Sequence, residues 1–503
     1  MPSDAPSGEF TPQKRLHGLS WIFVAVDYIR HFIVPLIAAV VLGAQDDYAL
    51  WGLVLVVPLV IGAVWQQWIY RYDFGPSGLV IHEGLFFRNV RNIDYGRIEN
   101  VDTERNLLHR LFDVAQVRVE TSSGGRSEAV IRVLGLPAVK EMRERIFSAR
   151  DDVATADENH EPDVAETLLH LGLGELVRYG LIDNRGVIVV AALFGLLAQG
   201  GMYQAMEDWL APLIEQLPFA DFAAIGPLAQ AFFILSTIAG LVAGTRLLSI
   251  LIAFITLHDF RLTRNDEDLR VHHGLFTRLA LTMRRPRIQV VHQKASLLHR
   301  LFKRVSLRVD LAGGMAASNG QNAQQGQTRK LWLAPVATPE KAGELIRIAL
   351  PGVHLEGLDW QQLSPRAQWR LFRLLSGIWL VISAAPAIFF LGWWAPAIVL
   401  PVMPLLWLYA RMYVKYTRWA LHDDFFVFRR GWLTRRLSIA PRNRIQSVRV
   451  SESPFDRRYR MAGLGVDTAG ASAGQIRIPF LDRDAARMLA HALYAPKFQR
   501  GAL

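Results

Sequence analysis

The sequence predicts an α+β membrane protein with six transmembrane helices in three pairs, each pair followed by a small β-barrel or roll that a C-terminal helix caps. Three observations support this prediction. The 503-residue chain has six long apolar stretches, a threefold repeat of the segments that follow them, and no Lys or Arg in the short connectors within each pair. With 51% apolar and 20% charged residues, the chain is not of the disordered, collagen-like or coiled-coil type.

Composition also limits the chemistry. The chain contains no cysteine, which excludes disulfides, cysteine-bound zinc, iron–sulfur ligation and thiol nucleophiles. The 56 basic residues outnumber the 45 acidic ones and give a net charge of +11. This balance favours an anionic partner surface without identifying it.

The six apolar stretches approach the roughly 20 residues with which a helix crosses about 30 Å of hydrocarbon. Because lipid offers the backbone no hydrogen-bond partner, helices are the expected structure for them. The predicted pairs are residues 29–44 with 51–70, 186–203 with 228–257, and 374–395 with 396–413.

Charge at the ends of these stretches predicts their orientation. The connectors within the pairs carry acidic residues or no charge, as with Asp46 and Asp47 in the first connector. Lys and Arg crowd the outer ends of the pairs, for example Arg71, Arg261 and Lys415. The positive-inside rule then places the connectors outside and both termini, with every β domain, in the cytoplasm. No cleavable signal peptide is expected, because the first 20 residues are polar.

The segments that follow the pairs repeat one another. When Gly84, Gly274 and Gly431 are aligned, 38 residues run on in each copy without a gap. Copies one and two share Leu-Leu-His-Arg-Leu-Phe at 107–112 and 297–302. All three copies place Arg-Ile at the same point, at 97–98, 287–288 and 444–445. Such self-similarity predicts one structural unit written three times.

Each copy predicts β structure closed by one helix. Alternating inward and outward residues at 117–120, 307–310 and 464–467 are typical of strands. A Gly-rich loop and a further strand follow, and Pro137, Pro339 and Asp482 suit the first turn or N-cap of a closing helix. A basic amphipathic stretch before each pair predicts a helix lying on the inner leaflet.

These features predict alternating membrane and soluble units. In chain order they are an N-terminal tail with an interfacial helix (1–31), transmembrane pair one (29–70), β domain one (71–149), an acidic linker (150–166), an interfacial helix with pair two (168–257), β domain two (258–350), a linker with an interfacial helix (351–373), pair three (374–413) and β domain three (414–495).

Two spans leading into Gly-Leu-Phe, Arg-Ile, Leu-Leu-His-Arg-Leu-Phe and Val-Glu-Thr resemble the bacterial pleckstrin-homology (PH) domains of the YdbS/YdbT type. The resemblance covers nearly the whole chain and weakens in copy three, where Pro454, Asp456, Arg458 and Tyr459 depart from the motif. It implies PH-like domains made of two orthogonal sheets capped by the C-terminal helix. It implies no established catalytic residue, and it implies a small membrane protein with one similar domain as a partner.

The shared hexapeptide has two interpretations. It could form a loop that docks a partner or touches lipid, or Leu107, Leu111 and Phe112 could fill the barrel while Arg110 stays solvated. Packing is the favoured interpretation, because repeats preserve packing first. Histidines His258, His272, His273, His292 and His299 fall within one copy, but they lack metal-ligand spacing with a nearby acid, so no metal site is predicted.

Basic clusters in copies two and three are candidate contacts for anionic lipid. A base near an anionic leaflet gains about 1 kcal/mol. A positive face that only orients the domains is favoured over a pocket with headgroup specificity, and nucleic acid is not expected because aromatic platforms are absent. The candidate residues are Arg284, Arg285, Arg287, Lys303, Arg304, Arg435, Arg436, Arg442 and Arg444.

Arg246 is a candidate intramembrane charge. If the fourth span runs over 235–257, Arg246 lies near the midplane, where a charge is costly and usually functional. If the span runs over 228–245, Arg246 lies at the cytoplasmic edge and its side chain reaches the interface. The edge position is favoured.

No enzyme motif, cofactor site or metal site is found: the chain has no P-loop, His-Glu-x-x-His or Gly-x-Ser-x-Gly. The leading hypothesis is a non-catalytic bacterial inner-membrane protein whose cytoplasmic PH-like domains form a protein-interaction scaffold. Its expected partners are anionic lipids and either a small protein with one similar domain or a second copy. The alternative is a lipid-handling or efflux (stress-resistance) protein that uses the six-helix region.

Overall fold

The computed structural model describes ten continuous ranges and a few isolated positions. The ranges are 69–75, 78–83, 89–121, 129–151, 166–199, 226–265, 268–312, 331–391, 400–468 and 476–499, and the isolated positions are 14–15, 18, 23, 61, 65 and 212.

Each repeat begins with four antiparallel strands, turns through one 3-10 turn, and continues as three antiparallel strands and a closing helix. A five-residue helix stands between the first and second of those three strands. In repeat one the elements are β1 (Lys14–Arg15), β2 (Arg71–Phe74), β3 (Gly78–Glu83), β4 (Asn89–Asp94), the 3-10 turn Tyr95–Arg97, β5 (Ile98–Arg105), α1 (Leu107–Leu111), β6 (Val114–Thr121), β7 (Ala129–Gly135) and α2 (Leu136–Asp151).

In the described part of repeat two, three helices lie between the first and second strands, and two of them are strongly apolar. Its elements are β8 (Glu166–His170), α3 (Leu173–Ile182), α4 (Arg185–Gln199), α5 (Pro227–Leu257), β9 (Arg261–Asn265), β10 (Asp268–His273), β11 (Arg278–Arg284), the 3-10 turn Arg285–Arg287, β12 (Ile288–Ala295), α6 (Leu297–Leu301), β13 (Val305–Leu311), β14 (Leu331–Ala337) and α7 (Pro339–Ala349).

Repeat three follows the same order with two long helices after its first strand. Its elements are β15 (Gln361–Gln362), α8 (Ala367–Leu391), α9 (Val402–Tyr416), β16 (Arg418–Leu421), β17 (Phe425–Arg430), β18 (Arg435–Pro441), the 3-10 turn Arg442–Arg444, β19 (Ile445–Ser451), α10 (Pro454–Arg458), β20 (Met461–Thr468), β21 (Ile476–Asp482) and α11 (Arg483–Gln499).

The repeats are joined by shared sheets. The last three strands of one repeat continue into the first four strands of the next, which gives two seven-stranded sheets with the orders β7-β6-β5-β11-β10-β9-β8 and β14-β13-β12-β18-β17-β16-β15. The sheets β1-β2-β3-β4 and β19-β20-β21 remain at the two ends of the series. We call the pair β5–β11 the first junction and the pair β12–β18 the second junction.

Both junctions use one register. At the first junction Thr103 faces Ala280, and at the second Gln293 faces Leu437. In the gap-free alignment of the repeats, Thr103 corresponds to Gln293 and Ala280 to Leu437. The pairing of successive repeats is therefore a reproducible feature of this unit.

Apolar side chains bury the inner faces of each repeat, and the second junction is buried as well. The core of repeat two includes Phe425, Val427 and Ile439 from repeat three. Val290 of repeat two in turn lies in the core of repeat three. Repeats two and three thus share apolar packing as well as backbone hydrogen bonds.

The predicted β domains closed by a helix are confirmed, but the prediction of six transmembrane helices in three pairs is wrong. Among the described residues one helix, α5, is long and apolar enough to cross a membrane. Helix α9 has 15 residues, about 22 Å at 1.5 Å per residue, which falls short of 30 Å of hydrocarbon. Helix α4 is described for 15 residues, as far as Gln199. The first turns of α8 carry Arg370 and Arg373. Residues 29–60 and 392–399 of the predicted pairs lie outside the described residues.

The predicted amphipathic helix before the second pair is also partly wrong. Residues 166–170 form β8, which pairs with β9 at the edge of a sheet, and the helix begins only at Leu173. A strand of five residues with leucines at adjacent positions has too little alternation to be distinguished from a helix by pattern.

Glycines allow α3 and α4 to approach α5 closely. A Cβ built on Gly180 would lie 2.4 Å from Ile250 Cα, and one built on Gly186 would lie 2.1 Å from the Thr245 carbonyl oxygen. The Gly186 amide donates to Ser249 Oγ at 2.9 Å. Small residues at such crossings replace the hydrophobic driving force that lipid-embedded helices lack.

We expect Gly186→Leu to lower the free energy of unfolding by about 1–3 kcal/mol, because its side chain would overlap the Thr245 carbonyl and separate two packed helices. The thermal unfolding midpoint of the detergent-solubilised protein measures the effect. Gly195→Leu is the matched control on the same helix, since a Cβ at Gly195 meets no atom within 4 Å. Equal midpoints for both variants would contradict the close packing.

Candidate functional site: the helix-side edge

One edge of the joined sheets lies against the apolar helices. In the turn after β10, the Gly274 amide donates to the His258 carbonyl at 2.8 Å and the Leu275 amide to the Ile255 carbonyl at 2.9 Å, at the end of α5. In repeat three the Gly431 amide donates to Thr417 Oγ1, just beyond the end of α9. These turns lie where strands end, and not along an edge strand. We call the side of the sheets that contains the turns 274–277 and 431–434 the helix-side edge, and the side at the other ends of the strands the far edge.

The shared hexapeptide forms a helical turn at this edge. In α6 the Ser296 side chain caps the helix and His299 is buried, as His109 is in α1. The guanidinium of Arg110 donates to the Leu275 carbonyl at 3.2 Å, and that of Arg300 donates to the Leu433 carbonyl. Both bonds cross a junction, so the motif ties one repeat to the next.

The leucines of the motif face outward. Leu107 and Leu297 are 53% exposed, and Leu111 and Leu301 are 73% exposed. The packing interpretation is therefore wrong for Leu107 and Leu111, whereas Phe112 is half-buried and packs against Phe23, Val114 and Val133. The buried histidine anchors the turn and leaves two leucines at the helix-side edge in each of the first two repeats.

His299 is held in one tautomer by its neighbours. Ser306 Oγ donates to the Pro335 carbonyl at 2.6 Å, so it can only accept from His299 Nε2, which lies 2.7 Å away. Nδ1 then accepts from Ser296 Oγ at 2.7 Å. Burial, followed by the charge of nearby Lys294, lowers the pKa of His299 to about 4.

This pKa predicts a loss of stability on acidification. Between the ordinary value of 6.5 and about 4, the unfolded chain binds a proton that the folded chain does not, so the contribution is complete above 6.5 and falls as the pH drops towards 4. The loss is about 3 kcal/mol. Unfolding midpoints of the wild type and of His299→Gln between pH 7.5 and 4 measure it; the variant should show a weaker decline, and parallel curves would contradict the assignment.

The structure separates the candidate lipid contacts into two groups. Lys303, Arg304, Arg435 and Arg436 lie at the helix-side edge. The remaining five lie at the far edge, about 20 Å away along strands of seven residues. They are Arg284, Arg285, Arg287, Arg442 and Arg444.

Several of these arginines already have protein partners. Arg304 forms a two-pronged ion pair with Glu175 at 2.7 and 2.9 Å, and its hydrogen bonds lower the pKa of that carboxyl. Arg287 donates to the Ala312 carbonyl at 2.6 Å. Arg442 donates to the Asp423 carbonyl at 2.9 Å and to the Ala492 carbonyl at 2.5 Å. These three side chains hold elements together.

Cations are crowded at the helix-side end of the second junction. Lys294 faces Arg436 in the strand register, and burial together with Arg436 lowers the pKa of Lys294. Burial and the neighbouring Arg430 lower the pKa of Arg436, and burial and Arg435 lower that of Arg429. An anion placed here would relieve this repulsion.

The side chain of Arg246, a residue of α5, reaches the turn between α3 and α4. Its guanidinium donates to the carbonyls of Leu181 and Asp183 at 3.1 Å each and to Asn184 Oδ1 at 2.9 Å. These acceptors include the end of α3, so the side chain caps one helix from another. The geometry gives Arg246 a structural task.

The candidate histidines of repeat two do different work. His292 bridges the second junction: Nδ1 lies 2.9 Å from Ser438 Oγ in repeat three, and Nε2 lies 3.0 Å from the buried carboxylate of Asp310. His273 Nδ1 lies 2.8 Å from the Thr256 carbonyl. The role of His292 could not be inferred from the sequence, because it depends on which strand pairs with β12.

A family model for the bacterial PH domain matches residues 23–150, 217–347 and 371–497, well over half of the chain. The chain belongs to the bacterial PH domain family. The resemblance in the sequence is thereby confirmed, and each match ends within a closing helix. The three bacterial PH domains are the units that the two junctions join.

One relative is similar over almost its whole length. The UPF0699 transmembrane protein YdbT of Bacillus subtilis (strain 168) is 23% identical over 482 residues, which are 91% of this chain and 93% of that protein. No solved structure shows a significant match. The relative's name and the apolar helix α5 agree in indicating a membrane protein with bacterial PH domains.

Proposed function

We propose that this protein is a non-catalytic scaffold at the cytoplasmic face of the bacterial inner membrane, and that its PH domains bind other proteins. The observation that carries the proposal is the mode of domain joining. Each PH domain already binds the next by adding a strand to its sheet, at β5–β11 and at β12–β18. Strand addition is a recurring way in which domains recognise protein partners.

The partner proposed on this basis is a protein that can offer an edge strand of the same kind. A small membrane protein with one PH-like domain, or a second copy of this chain, has the required chemistry. Strand pairing supplies affinity through main-chain hydrogen bonds, and the side chains on alternate positions supply selectivity.

The proposal predicts that Val450→Lys lowers partner recovery at least tenfold. Val450 lies in β19, an edge strand, and a lysine there opposes strand addition. Full-length protein would be crosslinked in membranes and purified in mild detergent, and the attached proteins would be identified. Met488→Lys is the control, because Met488 is also exposed and apolar but lies on α11. Unchanged recovery with Val450→Lys would count against strand addition as the binding mode.

A second proposal concerns lipid, and a specific observation favours it. The outward leucines of α1 and α6 and the crowded cations Lys294, Arg435 and Arg436 share the helix-side edge. Apolar side chains beside bases suit the boundary between headgroups and acyl chains of an anionic leaflet. We propose that this edge contacts anionic lipid and orients the PH domains on the membrane.

The lipid proposal predicts that removing two charges at the helix-side edge matters more than removing two at the far edge. Arg435→Gln with Arg436→Gln should lower retention of phosphatidylglycerol, by about 1 kcal/mol per residue. Arg284→Gln with Arg285→Gln is the charge-matched control at the far edge. Native mass spectrometry of the purified full-length protein measures bound lipid, and equal losses in both double variants would contradict the assignment.

A further inference from the structure

The series of joined sheets ends in two strands, β19 and β4. Each has the same place in its repeat as one of the two strands that form a junction. β19 occupies in repeat three the place of β5 and β12, and β4 occupies in repeat one the place of β11 and β18. In the described part of the chain β19 pairs only with β20, and β4 pairs only with β3. The chain therefore presents both complementary strands of a third junction, at opposite ends of its series.

The side chains of β19 are more exposed than those of β12, its counterpart in repeat two. In β12 the first four residues are buried and only Lys294 is exposed. In β19 only Ile445 is buried, Val448 is half-buried, and the other five residues are exposed. β4 is similar, with one buried residue, Ile93.

We propose that two copies of this protein associate head to tail, with β19 of one copy paired antiparallel to β4 of the next. This inference rests on the proposed function and names its partner and site. The register of the two existing junctions transfers directly: Thr103–Ala280 and Gln293–Leu437 become Val450–Val90. The flanking pair Glu104–Leu279 becomes Ser451–Asn89.

The transferred register brings together two exposed β-branched side chains. Val90 is 56% exposed and Val450 is 37% exposed, and facing valines are a favourable cross-strand pair. The register also sets Arg449 opposite Arg91. A like-charge pair of this kind already exists at each junction, Arg105–Arg278 at the first and Lys294–Arg436 at the second, so it does not prevent pairing.

Arg457 supplies the third element of a junction. It occupies the place of Arg110 and Arg300 in the alignment, and those two arginines donate across their junctions to carbonyls of the turn before β11 or β18. Arg457 is exposed. It is therefore placed to donate across the contact with the next copy.

Because the two surfaces differ, the contact is heterologous. It produces a ring where the rotation closes and an open chain where it does not. Each contact would rebuild a seven-stranded sheet of the kind that joins repeats within one chain.

Disulfide trapping in native membranes tests the register. Because the chain contains no cysteine, only the introduced cysteines can form the bond within or between copies. Val90→Cys and Val450→Cys are made as separate, differently tagged single variants and co-expressed. Directly opposite residues in paired strands have Cα atoms about 4.5–5.5 Å apart, within disulfide range. We expect oxidation to yield a mixed dimer carrying both tags, at least tenfold above the yield from Val90→Cys with Met488→Cys.

Three other outcomes would overturn the inference. They also show whether the proposed scaffold function fails with it. A dimer of Val450→Cys with itself would mean that two β19 strands pair symmetrically. No mixed dimer, while crosslinking recovers a different protein that Val450→Lys loses, would reject self-association and leave the scaffold intact. No mixed dimer together with lipid as the only associated molecule would reject both.

Discussion

The pairing of one repeat's edge strand with the next repeat's edge strand organises the rest of this molecule. Backbone amides and carbonyls at a sheet edge need hydrogen-bond partners, and an open edge invites pairing with another chain. β5 and β12 are satisfied by β11 and β18, in one register. The shared cores, the bridging His292 and the arginines that cross each junction all follow from that register.

The same register also determines where the exposed leucines and the basic side chains lie. Because both junctions align identically, α1 and α6 fall at one edge, beside the turns that touch the ends of α5 and α9. The outward leucines and the cations Lys294 and Arg436 meet there, whereas Arg285 and Arg444 lie at the far edge, where Arg444 reaches the Arg285 carbonyl. One pairing rule thus separates an apolar, cationic edge from a second basic edge that is engaged within the protein.

The sequence predicted the repeat unit, its closing helices and its family, because these depend on local pattern. It could not predict the junctions, because an edge strand such as β12 has the same alternation whatever strand lies beside it. It also misplaced Leu107 and Leu111, since an apolar residue two positions from a buried histidine has the same pattern whether it points in or out. The span count failed where an apolar run such as that of α9 yielded a short helix.

The structure of β19 argues that the end of the series has not been converted into a protected edge. A register irregularity near the start of the strand recurs in all three repeats, at Ile98, Ile288 and Ile445. In β5 and β12 the junction pairs lie beyond it, so this irregularity does not block a neighbour. β19 has no proline, and its one charged residue, Arg449, would face Arg91 as like charges already face each other at both junctions. With its junction half intact and Val450 facing outward, β19 keeps the features of a joining strand.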